Sequence, residues 1–408
     1  MSVVRDLIYS LIFRDRELSE VHVKPVLDGA FAANSKLDEG HVLGAQVTAP
    51  DDLVMGPNGK LYVSSGNEIL VFAGPDFAER GLFAKFDADV GGLGWSQDGR
   101  LLACVSGRGV CALNEKGVAE KWLESVDGEA LACPLALTAA ADGTIYVTDG
   151  SRHNTPERWL QDLMANRKGS GRLVAWDADL DKAHVVADGL NWPAGAVVSH
   201  DENEVWVTEA WAHTLCAVAR SGRERRYIVN NFAGYPARIA RGTSGDYWLA
   251  FFAARSQLID FVLQERKFCN RMMKEIPPEF WIGPALSSKS HYLHPTQYGR
   301  IKKLGIQKPW APARSYGLVA RFNEDGDPVD SFHSRVGGHI HGVTSVRCMG
   351  ERVIVASKGD DKLVELIDPV RKPQDSHFQI APKAFAKEEI SAAESIATKR
   401  VISDVQQQ

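Results

Sequence analysis

A short motif written six times limits what this chain can fold into more than any other feature. Each copy is a turn holding Gly, Asp or Asn followed by a β-branched or aromatic run: Asn58-Gly59 before Leu61-Tyr62-Val63, Asp98-Gly99 before Leu101-Leu102, and Asp142-Gly143 before Ile145-Tyr146-Val147. The later copies are Glu202-Asn203 before Val205-Trp206-Val207, Gly245-Asp246 before Tyr247-Trp248-Leu249, and Gly350-Glu351 before Val353-Ile354-Val355. Asn-Gly and Asp-Gly pairs favour the tight turns that join antiparallel strands. Leu61, Leu101, Ile145, Val205, Tyr247 and Val353 lie 40, 44, 60, 42 and 106 residues apart. Steps near 40 match one four-stranded propeller blade. A single such sheet cannot cover both its faces, whereas a closed ring buries each against the next. The spacing therefore predicts an all-β chain, a six-bladed β-propeller with helical lid insertions.

The two long steps mark those insertions. One runs from about 152 to 170, with a helical pattern around Glu157-Arg158-Trp159-Leu160; the other runs from about 255 to 314. There Leu258, Ile259, Phe261, Val262 and Leu263 open a helical pattern that stops near Pro277-Pro278. Loops this long in a compact domain act as lids or lack order, and Phe280, Trp281, Tyr292, Tyr298 and Trp310 argue for packing. Both insertions are expected over the same end of the ring axis. Residues 1–40 read as an N-terminal segment that partly closes the ring, 41–382 as the propeller, and 383–408 as a tail, either a surface helix or a frayed end.

Composition removes several classes. The formal charge of -5 is spread along the 408 residues, and no basic stripe exists to neutralise a row of phosphates, so nucleic acid is not expected as a partner. The apolar stretch Leu7-Ile8-Tyr9-Ser10-Leu11-Ile12-Phe13 is short and flanked by Arg5 and Arg14, which suits an amphipathic helix or strand and not a leader or membrane span. The six cysteines form no Cys-x-x-Cys pair, which speaks against a zinc cage or redox motif and for a cytoplasmic setting. Cys104 and Cys111 flank Ser106-Gly107-Arg108-Gly109 symmetrically and would oppose each other in a hairpin, with reduced thiols the default.

Within the repeat, Gly189-Leu190-Asn191-Trp192-Pro193-Ala194-Gly195, Val207-Thr208-Glu209-Ala210 and Gly234-Tyr235-Pro236-Ala237-Arg238-Ile239 follow one another at blade spacing. With Ile145-Tyr146-Val147-Thr148-Asp149, Tyr316-Gly317-Leu318-Val319 and Gly342-Val343-Thr344-Ser345-Val346, they resemble the strictosidine synthase-like family over about residues 49–367. The wider superfamily, with gluconolactonase- and paraoxonase-type lactonases and arylesterases, implies a divalent cation on the axis that polarises an ester carbonyl or activates water.

Position by position, the resemblance places the four axial ligand sites on Asp51, Leu135, Ala194 and the pair Ala237-Arg238. Three of the four have lost an oxygen donor, so no metal and no cofactor is expected. The glutamate that catalyses condensation in strictosidine synthase falls on Thr344. Arg238 would carry positive charge where the cation sat, pairing with Asp51 or Asp52 and binding a carboxylate or phenolate of a ligand; alternatively it caps a strand.

Asp51 is expected as a catalytic general base if its apolar surround of Leu135, Ala194 and Ala237 raises its pKa, or else as a structural carboxylate. His339 and His341, two apart, would face one side of a strand, with His341 a second catalytic candidate. Asp52, Tyr235, His339, Thr344 and His153 join Arg238 as candidate substrate contacts, and Glu209 and His213 read as structural. The leading reading is a metal-independent, strictosidine synthase-like enzyme of the lyase or synthase class, acting on a small anionic or aromatic molecule by acid-base chemistry suited to condensation, cyclisation or carbon-nitrogen bond formation. A lactonase or arylesterase and a non-catalytic small-molecule-binding propeller stand as alternatives.

Overall fold

The computed structural model describes residues 24–367 and 369, except 45, 166–168, 179–180, 223, 288–301, 304–305 and 308–314. The chain divides into two units, Met1–Pro369 and Val370–Gln408, and the second lies wholly outside the described residues. The readings of the Leu7–Phe13 stretch and of the 383–408 tail likewise fall outside them.

Six four-stranded antiparallel sheets make up the first unit. The first short strand, β1 (His41–Val42), is set aside for the end of the ring. Blade 1 then holds β2 (Pro50–Met55), β3 (Leu61–Ser65), β4 (Glu68–Ala73) and β5 (Glu79–Lys85). Blade 2 holds β6 (Val90–Trp95), β7 (Leu101–Val105), β8 (Gly109–Leu113) and β9 (Ala119–Leu123), followed by a small ribbon of β10 (Ser125–Val126) and β11 (Glu129–Ala130). Blade 3 holds β12 (Pro134–Ala139), β13 (Ile145–Asp149), β14 (Gly171–Asp177) and β15 (Lys182–Leu190). Blade 4 holds β16 (Pro193–Val198), β17 (Glu204–Glu209), β18 (Thr214–Ala219) and β19 (Arg225–Val229).

Blade 5 starts with β20 (Gly234–Arg241) and β21 (Tyr247–Ala254) and, after an insertion holding the ribbon β22 (Lys302–Lys303) and β23 (Ile306–Gln307), ends with β24 (Gly317–Phe322) and β25 (Pro328–Ser334). Blade 6 combines β26 (Val343–Met349), β27 (Arg352–Ser357) and β28 (Lys362–Glu365) with β1, which pairs antiparallel with β28. Closing the last blade with a strand from the chain's start ties the ring shut and leaves no open blade edge at the seam.

The six turn-and-strand motifs are the entries into the second strand of each blade, β3, β7, β13, β17, β21 and β27. Their turn glycines carry the backbone that demanded them, with φ of +73° at Gly59, +81° at Gly99 and +88° at Gly143. All five residues of β7, a second strand, are buried, whereas the outer strand β19 is exposed or half-buried throughout. Apolar clusters lie between neighbouring blades. One joins Tyr62 and Ile69 of blade 1 to Leu93 and Leu101 of blade 2, and another joins Leu173 and Val186 of blade 3 to Val198 and Val205 of blade 4. Each sheet face is thus covered only because the ring closes.

The cysteine pair shows how register decides contact. Ala103 opposes Cys111 and Cys104 opposes Val110, so the two thiols point to opposite faces of the blade. All six cysteines are free, and burial pushes the Cys111 thiol up to about 12.

The long steps are helical insertions at one end of the ring. The first carries α1 (Trp159–Ala165) between β13 and β14; the second carries α2 (Gln257–Gln264) and α3 (Arg266–Glu275) after β21. Met164 of α1 packs with Val262 of α2, Cys269 and Met272 of α3, and Trp281, so the two insertions share one small core.

Candidate functional site

Six innermost strands reach the axis, and every one breaks register with its neighbour at that point. Shifts fall between Pro50 and Leu53, Val90 and Leu93, Pro134 and Ala136, Pro193 and Gly195, Pro236 and Ile239, and Val343 and Ser345. A bulge leaves its residue out of the ladder and its backbone groups unspent. Among the skipped residues, Asp51, Gly91, Leu135, Ala194, Arg238 and Thr344, one from each blade, form the hub. Close approach there excludes side chains, since a Cβ on Gly195 would lie 2.4 Å from the carbonyl oxygen of Ala237 and 2.8 Å from Arg238 Cα.

The Arg238 guanidinium fills this hub. One terminal nitrogen donates to the carbonyl oxygens of Asp51 (2.9 Å) and Thr344 (3.4 Å), and the other to that of Leu135 (2.7 Å). The same group pairs with the Asp51 carboxylate at 2.5 Å, while Nε lies 3.3 Å from Asp52 Oδ2. On the opposite side of Asp51 stands Lys358 Nζ, and beneath Asp52 stands Arg347 at 2.8 Å. Lys358, Asp51, Arg238, Asp52 and Arg347 therefore form a ladder of alternating charge. Burial works against the Asp51 charge, but Arg238 and Lys358 more than offset it and hold the carboxyl well below the usual carboxylate range. The expected rise at Asp51 is thus corrected: its apolar neighbours are outweighed by two cations, and a carboxylate so stabilised is a weak proton acceptor.

Above the hub lies a cavity of about 310 Å³, within the range of small-molecule sites. Asp51, Arg238, Thr344 and Lys358 line its floor with Leu135, Ala194 and Ala237; Trp159, Trp192, Trp211, Phe252 and Leu286 form its wall; Asp89 and Glu157 are further acidic residues of its lining. Trp192 and Trp211 stack with centroids 4.9 Å apart, and Trp159 meets Phe252 edge-on at 5.6 Å. Both insertions contribute, the first through Trp159 and the second through Leu286.

Of the residues singled out in the sequence, Asp51, Arg238 and Thr344 line this cavity, with the Thr344 hydroxyl donating to the Asp51 carbonyl at 2.8 Å. Asp52 is wholly buried below, accepting from the backbone amides of Leu53 and Leu93 and the hydroxyl of Ser345. Tyr235 is buried behind the wall against Trp211, Phe252 and His213, outside the lining. His153 is exposed and His339 has a side chain 60% exposed beside Asp38.

His341 is buried, its Nδ1 2.8 Å from Ser315 Oγ and its Nε2 3.1 Å from the Arg335 carbonyl. Burial lowers its pKa. His339 and His341 do not share a face, because they sit in the loop before β26 and not on a strand; neither lines the cavity. Glu209 is buried, bonded to Asn191 and paired with Arg225.

Sequence reasoning missed Lys358 and the tryptophan wall. Trp192 stood inside a quoted phrase, but nothing in its spacing distinguishes a pocket ring from a core ring. Lys358, in the turn after β27, carries no local signal at all.

The strictosidine synthase family profile matches residues 136–219, and a profile for the strictosidine synthase-like N-terminal region matches residues 29–67. In these two stretches the chain is similar to strictosidine synthase-like proteins. It is 28% identical over 194 residues to the mouse adipocyte plasma membrane-associated protein, covering 45% of this chain and 46% of that one. It is 22% identical over 229 residues to strictosidine synthase-like protein 13 of Arabidopsis thaliana, covering 55% and 49%. The chain thus spans about half the length of the curated relatives it matches. Among solved structures, a gluconolactonase of Xanthomonas campestris superposes with a TM-score of 0.53 at 16% identity, covering 84% of this chain and 94% of that one. The calcium-binding protein regucalcin of Agrobacterium tumefaciens gives 0.51 at 13%, covering 80% and 92%. These share the fold.

The axial cation that the superfamily implies does not fit the residues present here. Its oxygen donors, the Asp51 carboxylate and the carbonyls of Asp51, Leu135 and Thr344, are taken by a guanidinium that already carries the positive charge. Among the described residues no group of three His, Cys, Asp or Glu could hold a metal ion, and no described helix is long and apolar enough to cross a membrane.

Proposed function

We propose that this chain is a cation-independent small-molecule enzyme whose substrate has an aromatic or flat apolar body and one anionic group. The observation that carries the reading is the seating of Arg238 on the bulge carbonyls of three blades. It replaces a removable ion with a covalently tethered charge, so the site needs no metal to be electrostatically complete.

The ligand class follows from the lining. Four aromatic rings offer stacking and edge contacts. Lys358 is the floor cation with room to serve a ligand: about a third of its side chain is exposed, against 7% for Arg238. Its Asp51 partner is shared with Arg238, so a ligand carboxylate or developing oxyanion reaching Nζ gains a charge-assisted bond without stripping Asp51 of its counter-charge. That contact would strengthen as negative charge grows on the substrate, as in additions to a carbonyl and condensations. Asp51 acts here as the group that orients two cations, and not as the base.

The test uses 1-naphthoate and uncharged 1-naphthamide as probes in calorimetric titration. Expected are binding of the carboxylate, at least tenfold weaker binding of the amide, and at least tenfold loss of carboxylate affinity in Lys358→Met. Affinity should be unchanged by a chelator. Chelator-sensitive binding, or equal affinity for both probes, would overturn the reading.

A further inference from the structure

We infer that Asp162 is a positioning residue for the pocket wall, its buried carboxyl group setting the orientation of the Trp211 indole from the first insertion helix. Asp162 is 1% exposed, and among the described residues no Lys or Arg pairs with it. Its oxygens instead accept from three neutral donors. Trp211 Nε1 lies 2.9 Å from Oδ1, while Ser151 Oγ (2.6 Å) and Asn154 Nδ2 (2.9 Å) serve Oδ2.

Packing does not call for a carboxyl group there. Its neighbours Leu163 and Met164 are buried apolar residues, and a third apolar side chain would avoid desolvating an acid without a cation. What the acid adds is direction. The torsion that turns an indole about its own bond is broad, so stacking on Trp192 and edge contact with Phe252 leave the ring's orientation loosely defined. A hydrogen bond to Nε1 removes that freedom.

The three donors lie in different places: Ser151 follows β13 of blade 3, Asn154 leads into the insertion, and Trp211 belongs to the turn between β17 and β18 of blade 4. The same helix carries Trp159, whose ring lies 6.4 Å from that of Trp211. One carboxyl group thus registers both lid and wall.

The inference leans on the proposed ligand class only for its affinity readout, and the test separates the two. Asp162→Asn keeps an oxygen for Trp211, and the Ser151 hydroxyl and Asn154 amide can turn to meet the new amide; Asp162→Ala keeps nothing. In the full chain, acrylamide quenching of the Trp211 component, isolated by difference against Trp211→Phe, should rise at least twofold in Asp162→Ala and stay near wild type in Asp162→Asn. Affinity for 1-naphthoate should fall at least fivefold in the first and less than twofold in the second. If Asp162→Ala does not fold, the pair Trp211→Phe and Asp162→Asn with Trp211→Phe decides: the double variant should bind no worse than the single. A folded Asp162→Ala with wild-type quenching, equal damage from Asn and Ala, or further loss in the double variant would overturn the role. If the wild type fails to bind 1-naphthoate, the ligand reading falls and quenching alone judges Asp162.

Discussion

At the hub, five charged side chains from three blades alternate in sign, whereas the wall above it is four aromatic rings from separate segments, one of them held by a neutral-donor contact to a buried carboxyl group. The hub is set by strand register: the bulges that free its carbonyls recur in all six blades. Three of the wall rings, Trp159, Trp192 and Trp211, sit on loops and an insertion, where no repeat enforces position, and Phe252 joins them from β21. Fixed charge placement therefore lives where the ring is most constrained, and ligand shape lives where it can vary without disturbing closure.

Breaking the hub should have the largest effect. Arg238→Met removes the cation that Asp51 and Asp52 share, leaving two of their three in a buried setting, and should cost about 3 kcal/mol or more in denaturant unfolding. Arg238→Asn sharpens the point, because it vacates the guanidinium volume beside three free carbonyls and a carboxylate. Millimolar Ca²⁺ should then raise its Tm by about 2 °C or more and leave the wild type unmoved.

Acid separates the hub from a second buried polar cluster. His333 is fully buried between Tyr316 Oη and Ser331 Oγ, with Lys36, Asp330 and Arg335 around it, and burial lowers its pKa to about 4. As pH falls the unfolded chain takes up this proton first, so stability present above about 6.5 should decline by roughly 3 kcal/mol down to pH 4. Asp51 follows the same sign in a lower window: its contribution is present above the unfolded carboxyl value of about 4 and is lost only as pH falls further. His333→Gln should flatten the first limb of the stability profile and leave the second.

A milder probe of the wall is Trp211→Phe, which deprives Asp162 of one of three donors and should cost about 1 kcal/mol, with the hub's acid limb unchanged. The smallest effect is expected at Arg271→Ala on α3, whose partner Glu275 shares an exposed surface; a shift within about 0.5 kcal/mol would show that exposed ion pairs carry none of the contrast.

How far the sequence reached follows from the same division. The turn motifs located the second strand of all six blades because glycine and Asx turns act through local backbone energetics. The family resemblance, carried over position by position, then placed Asp51, Leu135, Ala194 and Arg238 on the axis, and all four line one cavity. Sequence reasoning failed for His339 and His341, treated as strand neighbours although they precede β26, and for the sign of the Asp51 shift, which Arg238 sets together with a lysine 307 residues away in sequence.

The sequence by itself determined the repeat and the closed ring, since both are written in residue type and spacing, while the loss of oxygen ligands at the axis was legible only through the family resemblance. Tertiary structure alone decided that Lys358 stands over Asp51, that Asp162 reaches Trp211, and that four tryptophan and phenylalanine rings face one cavity. Those contacts join loops, an insertion helix and strand ends that are distant in sequence. Loop direction is set by ring closure and packing of the insertions, and no local pattern encodes it.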